Sequence, residues 1–273
     1  MGAPRAIALC ECFLGALDFQ QGDWTRAVET LRASVDRYHQ IAAASGEALA
    51  CQRLGAVLTA MGQTDEAMEM LERGVRVAER STMRAHCQVR LFACLAHNRL
   101  VAGEREGARH FLQQGLRTLE RHGACVTCNA LLYPVAVRLH LAEGNLPEAA
   151  TYGYRLQDAA RQYSSRGWTA MAAQIEGLVL SHEGKADEAV ASLREAMRLF
   201  EAMGQPYDAA LTAVDLAEAL RRRDRANDFD EARDLLSGAE VTFRRLSAGP
   251  DAQRMAGLLT GDARAGPHHS PRR

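Results

Sequence analysis

Six times along the chain a turn residue is followed, after four intervening positions, by an alanine and then by apolar residues at helical spacing. The turn residues are Gly22, Gly62, Gly103, Gly144, Gly184 and Asn227, and the alanines are Ala27, Ala67, Ala108, Ala149, Ala189 and Ala232. Successive alanines stand 40, 41, 41, 40 and 43 residues apart. A period of this length marks a supersecondary unit that cannot bury its own apolar faces, so neighbouring units must stack into one continuous core.

Each unit reads as a helix A, a tight turn and a helix B. Glycine or asparagine at the turn supplies the left-handed conformation that ends a helix, which a side chain with a Cβ resists. Helix B then begins within a few residues, often with Asp or Glu in its first turn, at the positive end of the helix dipole. The alanine falls where two helices cross closely and a larger side chain would force them apart. Helices A are expected over about 5–21, 47–61, 84–102, 126–143, 166–183 and 207–222, and helices B over about 24–44, 64–80, 105–121, 146–163, 186–203 and 229–247.

Composition agrees with packed helices: 47% of residues are apolar, only 5% aromatic, and there are 7 prolines in 273 residues. Lys and Arg number 33 against 34 Asp and Glu, so no global field draws the chain to nucleic acid or an anionic membrane. The start, Met1-Gly2-Ala3-Pro4-Arg5, lacks a basic segment followed by an apolar stretch, and no run approaches the length of a membrane span. The expectation is a cytoplasmic protein. Seven cysteines, an odd number in a chain of this size, are expected as thiols in a reducing compartment.

In the second unit, Leu54-Gly55, Leu58, Gly62, Ala67, Leu71 and Gly74 stand at the offsets of the tetratricopeptide consensus, and Leu14-Gly15, Gly22, Ala27 and Leu31 repeat them. The chain thus resembles the tetratricopeptide repeat (TPR) family. The fourth unit departs, with Val137 where a small residue is usual and Gly153 where a large one is usual. The resemblance implies an all-α, right-handed α-solenoid of about six TPR-like repeats with long helices. Its units would cover about 5–44, 46–80, 82–122, 124–163, 165–203 and 205–247, with a short C-terminal cap helix over 250–260 inside a 1–260 domain and a disordered tail over 261–273.

A second resemblance rests on Phe200-Glu201-Ala202-Met203-Gly204-Gln205-Pro206-Tyr207-Asp208-Ala209-Ala210, on Leu216-Ala217-Glu218-Ala219-Leu220, and on Phe243-Arg244-Arg245-Leu246-Ser247-Ala248-Gly249-Pro250-Asp251-Ala252. These are similar to the helical-repeat region of LuxR-family transcriptional regulators, including the large ATP-binding type. Such regulators carry an ATP-binding domain before the repeats and a helix-turn-helix domain after them. No GxxxxGK[ST] phosphate loop occurs in this chain, and nothing after Leu259 reads as a helix-turn-helix. DNA binding is therefore not carried over. The expectation is the signal-sensing or interaction region of such a regulator, or a free-standing adaptor for an extended peptide.

In the tetratricopeptide family helix A lines the concave groove, and its exposed positions carry over here to Gln52, Arg90, His97, Arg138 and Gln174. Two arginines and a histidine in one groove would clamp a carboxylate, from a peptide C-terminus or a small acidic effector. A plain solvated face is the competing reading. Protein or peptide is the expected partner, a small-molecule effector an alternative, and self-association through a terminal repeat is open to such an array; neither nucleic acid nor membrane is expected.

Cys10, Cys12, Cys51, Cys87, Cys94, Cys125 and Cys128 all fall in or just before A helices. The pair Cys125 and Cys128 forms a CxxC at a helix start, where both sulfurs share a face and the dipole lowers a thiol pKa. With His122 as a third ligand the pair suggests a redox switch or soft-metal site, although structural zinc needs four donors and a fourth is not evident. The plainer reading, preferred for most of the seven, is that cysteine packs as a small hydrophobe. Trp24 and Trp168 read as staples between repeats, and the run Arg221-Arg222-Arg223-Asp224-Arg225 as a solvated turn. No HExxH, GxSxG or Rossmann glycine pattern is present, so neither an enzyme nor a cofactor is expected.

Overall fold

The structure, a computed structural model, describes residues 3–123 and 125–264. Among them there are thirteen α-helices and no strand. The six A helices are α1 (Pro4–Gln21), α3 (Ala44–Met61), α5 (Arg84–Val101), α7 (Val126–Ala142), α9 (Arg166–His182) and α11 (Pro206–Arg223). The B helices between and after them are α2 (Trp24–Gln40), α4 (Thr64–Ala78), α6 (Arg105–His122), α8 (Leu146–Tyr163), α10 (Ala186–Ala202) and α12 (Asp228–Leu246). A last helix, α13, spans Gly249–Arg264, so the short cap expected over 250–260 is longer and residues 261–264 are helical. The rest of the expected tail, 265–273, lies outside the described residues.

The turn chemistry follows the sequence. Gly22 and Gly62 sit at φ 91° and 83°, and the following N–H reaches back five residues, from Asp23 to the Asp18 carbonyl at 2.8 Å and from Gln63 to the Leu58 carbonyl at 2.9 Å. This satisfies carbonyls that the helix end would leave unpaired. Helix α2 stops at Gln40, short of the expected 44, because Ala42 turns the chain at φ 50° and α3 starts at once. An alanine gives no turn signal, and the boundary was not readable from composition.

All six repeat alanines are fully buried. Close approach is enforced a second way. A Cβ on Gly15, Gly55 or Gly177 would lie 2.6, 2.4 or 2.5 Å from Cγ of Leu31, Leu71 or Leu193 on the partner helix. In the fourth unit the small and large members are exchanged: Val137 is fully buried on α7, while a Cβ on Gly153 of α8 would meet only Val179 and Ile175 at ordinary distances. The departure from consensus keeps volume and moves it to the other helix.

Each A helix packs on the next A helix, and the last of them, α11, returns to touch α1. Trp24 at the start of α2 stands 5.0 Å, edge to face, from Tyr207 of α11, with Phe19 beside both. Leu246 and Pro206 lie against the turn at Gly22, and Pro250 against the turn at Gly62. One core cluster therefore contains residues of the first two units together with Leu220, Leu236, Phe243, Leu246 and Met255 of the last unit and α13. The superhelix completes a turn and its ends meet. Trp24 is a staple, as expected, but it joins the first unit to the sixth.

Helix α1 exposes a face that α3 buries. Leu14 and Leu17 are nearly half exposed, whereas Leu54 and Val57, one period later, are buried under the preceding B helix. No helix long and apolar enough to cross a membrane occurs among the described residues.

Candidate functional site

The closed course of the A helices divides the five groove residues into two groups. Gln52 in the middle of α3 and Arg90 in the first half of α5 stand together: Arg90 Nη2 donates to Gln52 Oε1 at 3.4 Å, and Gln52 Nε2 donates to Cys94 Sγ at 3.1 Å. Arg138 and Gln174 gather on a carboxylate that belongs to the chain itself, and His97 lies within reach of the Arg138 charge. Asp215 of α11 receives Gln174 Nε2 at 2.8 Å and Arg138 Nη2 at 3.3 Å. Of the clamp expected from two arginines and a histidine, Arg90 meets Gln52 and Arg138 meets Asp215. Its Arg138 half already holds an internal carboxylate.

Loss of water dominates this inner group. Burial, with the Arg138 charge adding to it, lowers the His97 imidazole to about 4, so the ring is neutral at pH 7. Burial also lifts Asp208, one turn before Thr212 on α11, to about 6, against the opposing pull of Arg138. Tyr207 donates its hydroxyl to Asp251 of α13 at 2.8 Å, and burial followed by that neighbouring carboxylate raises it well above a normal phenol.

The outer group opens on a cavity of about 510 Å³ at the rim formed by α1, the 42–49 segment, the 80–87 segment and Arg90. Arg5, Arg80 and Arg90 line it with Gln52 and His86, and Leu9, Leu49, Tyr38 and Met83 give it an apolar side. Among the described residues no Asp or Glu lines it. Arg90 donates only long hydrogen bonds, to the Thr127 carbonyl and to Gln52, both at 3.4 Å, and its buried Nε has no partner among the described residues. A guanidinium left in this state carries most of its donor capacity unused. The other large cavity, about 750 Å³ between α10, α11 and α12, is opposite in character, edged by Glu201, Asp230, Glu231 and Asp234. Two of those carboxylates are already engaged, Glu231 by Arg194 and Asp230 by Arg233, both at 2.7 Å.

Beside the rim cavity lies the cysteine pair. Gly123, at φ 85° and ψ 156°, a conformation open to glycine, turns the chain out of α6, and Cys125 caps α7 with an extended backbone. His122 ends α6 exposed and is not with the pair. The histidine that is there is His86, from the first turn of α5: its Nδ1 lies 3.1 Å from Cys128 Sγ and 3.5 Å from Cys125 Sγ. The three donor atoms lie within 4.8 Å of one another. Burial works to raise Cys125, but hydrogen bonds from the Thr127 hydroxyl, from Cys128 and from backbone N–H groups of the helix start carry it below the usual thiol value. Burial and the neighbouring Cys125 push Cys128 up to about 12. Burial likewise raises Cys12, Cys87 and Cys94, and lifts Cys51 to about 12, in keeping with cysteine as packing.

No local motif marks His86, Asp215 or Arg80, yet the first two follow from the repeat. Side chains on neighbouring A helices meet at a separation close to the repeat: His86 with Cys128 at 42 residues, Gln52 with Cys94 at 42, Gln174 with Asp215 at 41. Stepping back one period from Cys128 lands on His86 and Cys87. The basic run at 221–225 is also spent internally, with Arg222 on Ser181, Arg223 on Asp228, and Arg225 on Asp187.

A helical-hairpin solenoid with a polar inner wall is the class that this geometry defines. A sequence profile described as the tetratricopeptide repeat matches residues 48–81, most of α3 with the following turn and all of α4. No curated protein matches the chain in sequence. Several solved structures are similar in fold. The Rap protein solved in complex with Competence and Sporulation Factor superposes with a TM-score of 0.60 at 15% identity, over 93% of this chain and 74% of that one. BtubC (BKLC) from P. vanneervenii gives 0.52 at 17% identity over 94% and 95%. A Signal Transduction ATPase with Numerous Domains with a tetratricopeptide repeat sensor, from Pyrococcus horikoshii, gives 0.57 at 12% identity, over 89% of this chain and 35% of that one. At these identities the likeness speaks to the fold, a TPR-like helical solenoid.

Proposed function

We propose that this chain is a non-catalytic binding module that takes the carboxylate of a short peptide into the rim cavity, and that it serves as the sensing or interaction region of a cytoplasmic transcriptional regulator of the LuxR type. The observation that carries the reading is the state of Arg90: a guanidinium with two long hydrogen bonds and a buried Nε without a partner among the described residues, facing a cavity whose described lining holds two further arginines and no acid. Arginine recognises a carboxylate through paired, charge-assisted hydrogen bonds, and the apolar wall from Leu9, Leu49 and Met83 suits the side chain next to it. The fold-level likeness to a Rap protein solved with a bound factor, and to an ATPase whose repeats are described as a sensor, supports binding as the use of this architecture.

Calorimetric titration with a library of short peptides tests it, each ending either in a free carboxylate or in an amide. The free acids should bind more tightly, and Arg90→Gln should weaken them by at least about tenfold, the scale of a charge-assisted hydrogen bond, while leaving the far-ultraviolet circular dichroism unchanged. Equal affinity for acid and amide, or indifference to Arg90→Gln, would remove the carboxylate reading. The regulatory role is tested separately by whether a helix-turn-helix or ATPase reading frame adjoins this one.

A further inference from the structure

The geometry points to His86, Cys125 and Cys128 as a three-donor site for one soft closed-shell metal ion, Cu+ as a complete trigonal set or Zn2+ with an exogenous fourth donor. This does not rest on peptide binding.

Two helices supply the donors. Cys125 at the N-cap of α7 and Cys128 in its first turn stand together, and His86 reaches them from the first turn of the neighbouring α5. Zinc–sulfur and zinc–nitrogen bonds of about 2.3 and about 2.0 Å hold sulfur and imidazole nitrogen about 3.5 Å apart around one ion. The His86 Nδ1 distances to the two sulfurs, 3.1 and 3.5 Å, lie close to that without an ion to draw them in. The backbone is already set, since the N–H of Cys128 donates to the Cys125 carbonyl at 3.0 Å and closes the CxxC turn. His86 and Cys125 are partly exposed and Cys128 is buried, so an ion has an entrance and a dry inner ligand.

Thiolate and imidazole together select Cu+ and Zn2+ over the hard ions that prefer oxygen. No fourth Cys, His, Asp or Glu among the described residues joins the cluster. Closed structural zinc sites take four protein ligands, whereas Cu+ is satisfied with three, so the donor count favours Cu+.

The test uses the whole chain, reduced and under anaerobic conditions. Cu+ is offered in competition with a chromogenic Cu+ chelator, and in a second arm Co2+ is added as a zinc surrogate and its thiolate charge-transfer band is followed. One ion per chain is expected in at least one arm. Binding should vanish in the Cys125→Ser/Cys128→Ser variant, fall by about tenfold or more in His86→Ala, and stay unchanged in His122→Ala, with circular dichroism showing each variant folded. No ion bound in either arm, binding that survives loss of both cysteines, or affinity indifferent to His86→Ala would overturn the assignment.

Discussion

His97 shows how the closed interior acts on one side chain. Burial together with the Arg138 charge lowers its imidazole from 6.5 to about 4. The unfolded chain takes up its proton near 6.5 and the folded one only near 4, so the unfolded state binds more protons between these values. Stability from this residue is present above pH 6.5 and is lost as the pH falls toward 4. Urea unfolding of His97→Gln should accordingly show a shallower decline than the parent between pH 6.5 and 4; parallel curves would mean that the ring is hydrated. Residue types at inner positions were legible from the repeat. Their partners were not, because Asp215 and His86 lie one period away in sequence and are adjacent only after the units have stacked.

Within a hairpin the deciding quantity is the space between helix A and helix B. Gly55 in α3 has no room for a methyl group, with Leu71 Cγ of α4 2.4 Å from its Cβ position and fully buried. Gly55→Ala should therefore cost about 1–3 kcal/mol through overpacking. Gly153 in α8 meets only ordinary contacts, so Gly153→Ala should stabilise by about 0.5–1 kcal/mol by removing the backbone entropy of a helical glycine. Thermal or urea denaturation of the two variants checks the opposite signs. The sequence exposed the helix and turn alternation clearly, because glycine, alanine and leucine recur in register. It misplaced the end of α2, where Ala42 adopts φ 50° without any residue that advertises a turn.

At the scale of the molecule, six units bring α11 back to α1, so that Leu246, Pro206 and Pro250 settle on the turns of the first two units. Closure follows from a rotation between neighbours that accumulates over the array, and no single unit's sequence states its sum. It decides what the inner wall can offer. Side chains at its centre satisfy one another through Asp215, and the rim cavity at Arg90 retains unused donors. A double-mutant cycle on Trp24 and Tyr207 tests closure most directly, since these rings belong to the first and sixth units and touch only if the ends meet. Trp24→Ala, Tyr207→Ala and the double variant should give a coupling energy of about 0.5–1.5 kcal/mol in urea unfolding. Strictly additive losses would mean that the two ends stand apart and the solenoid is open.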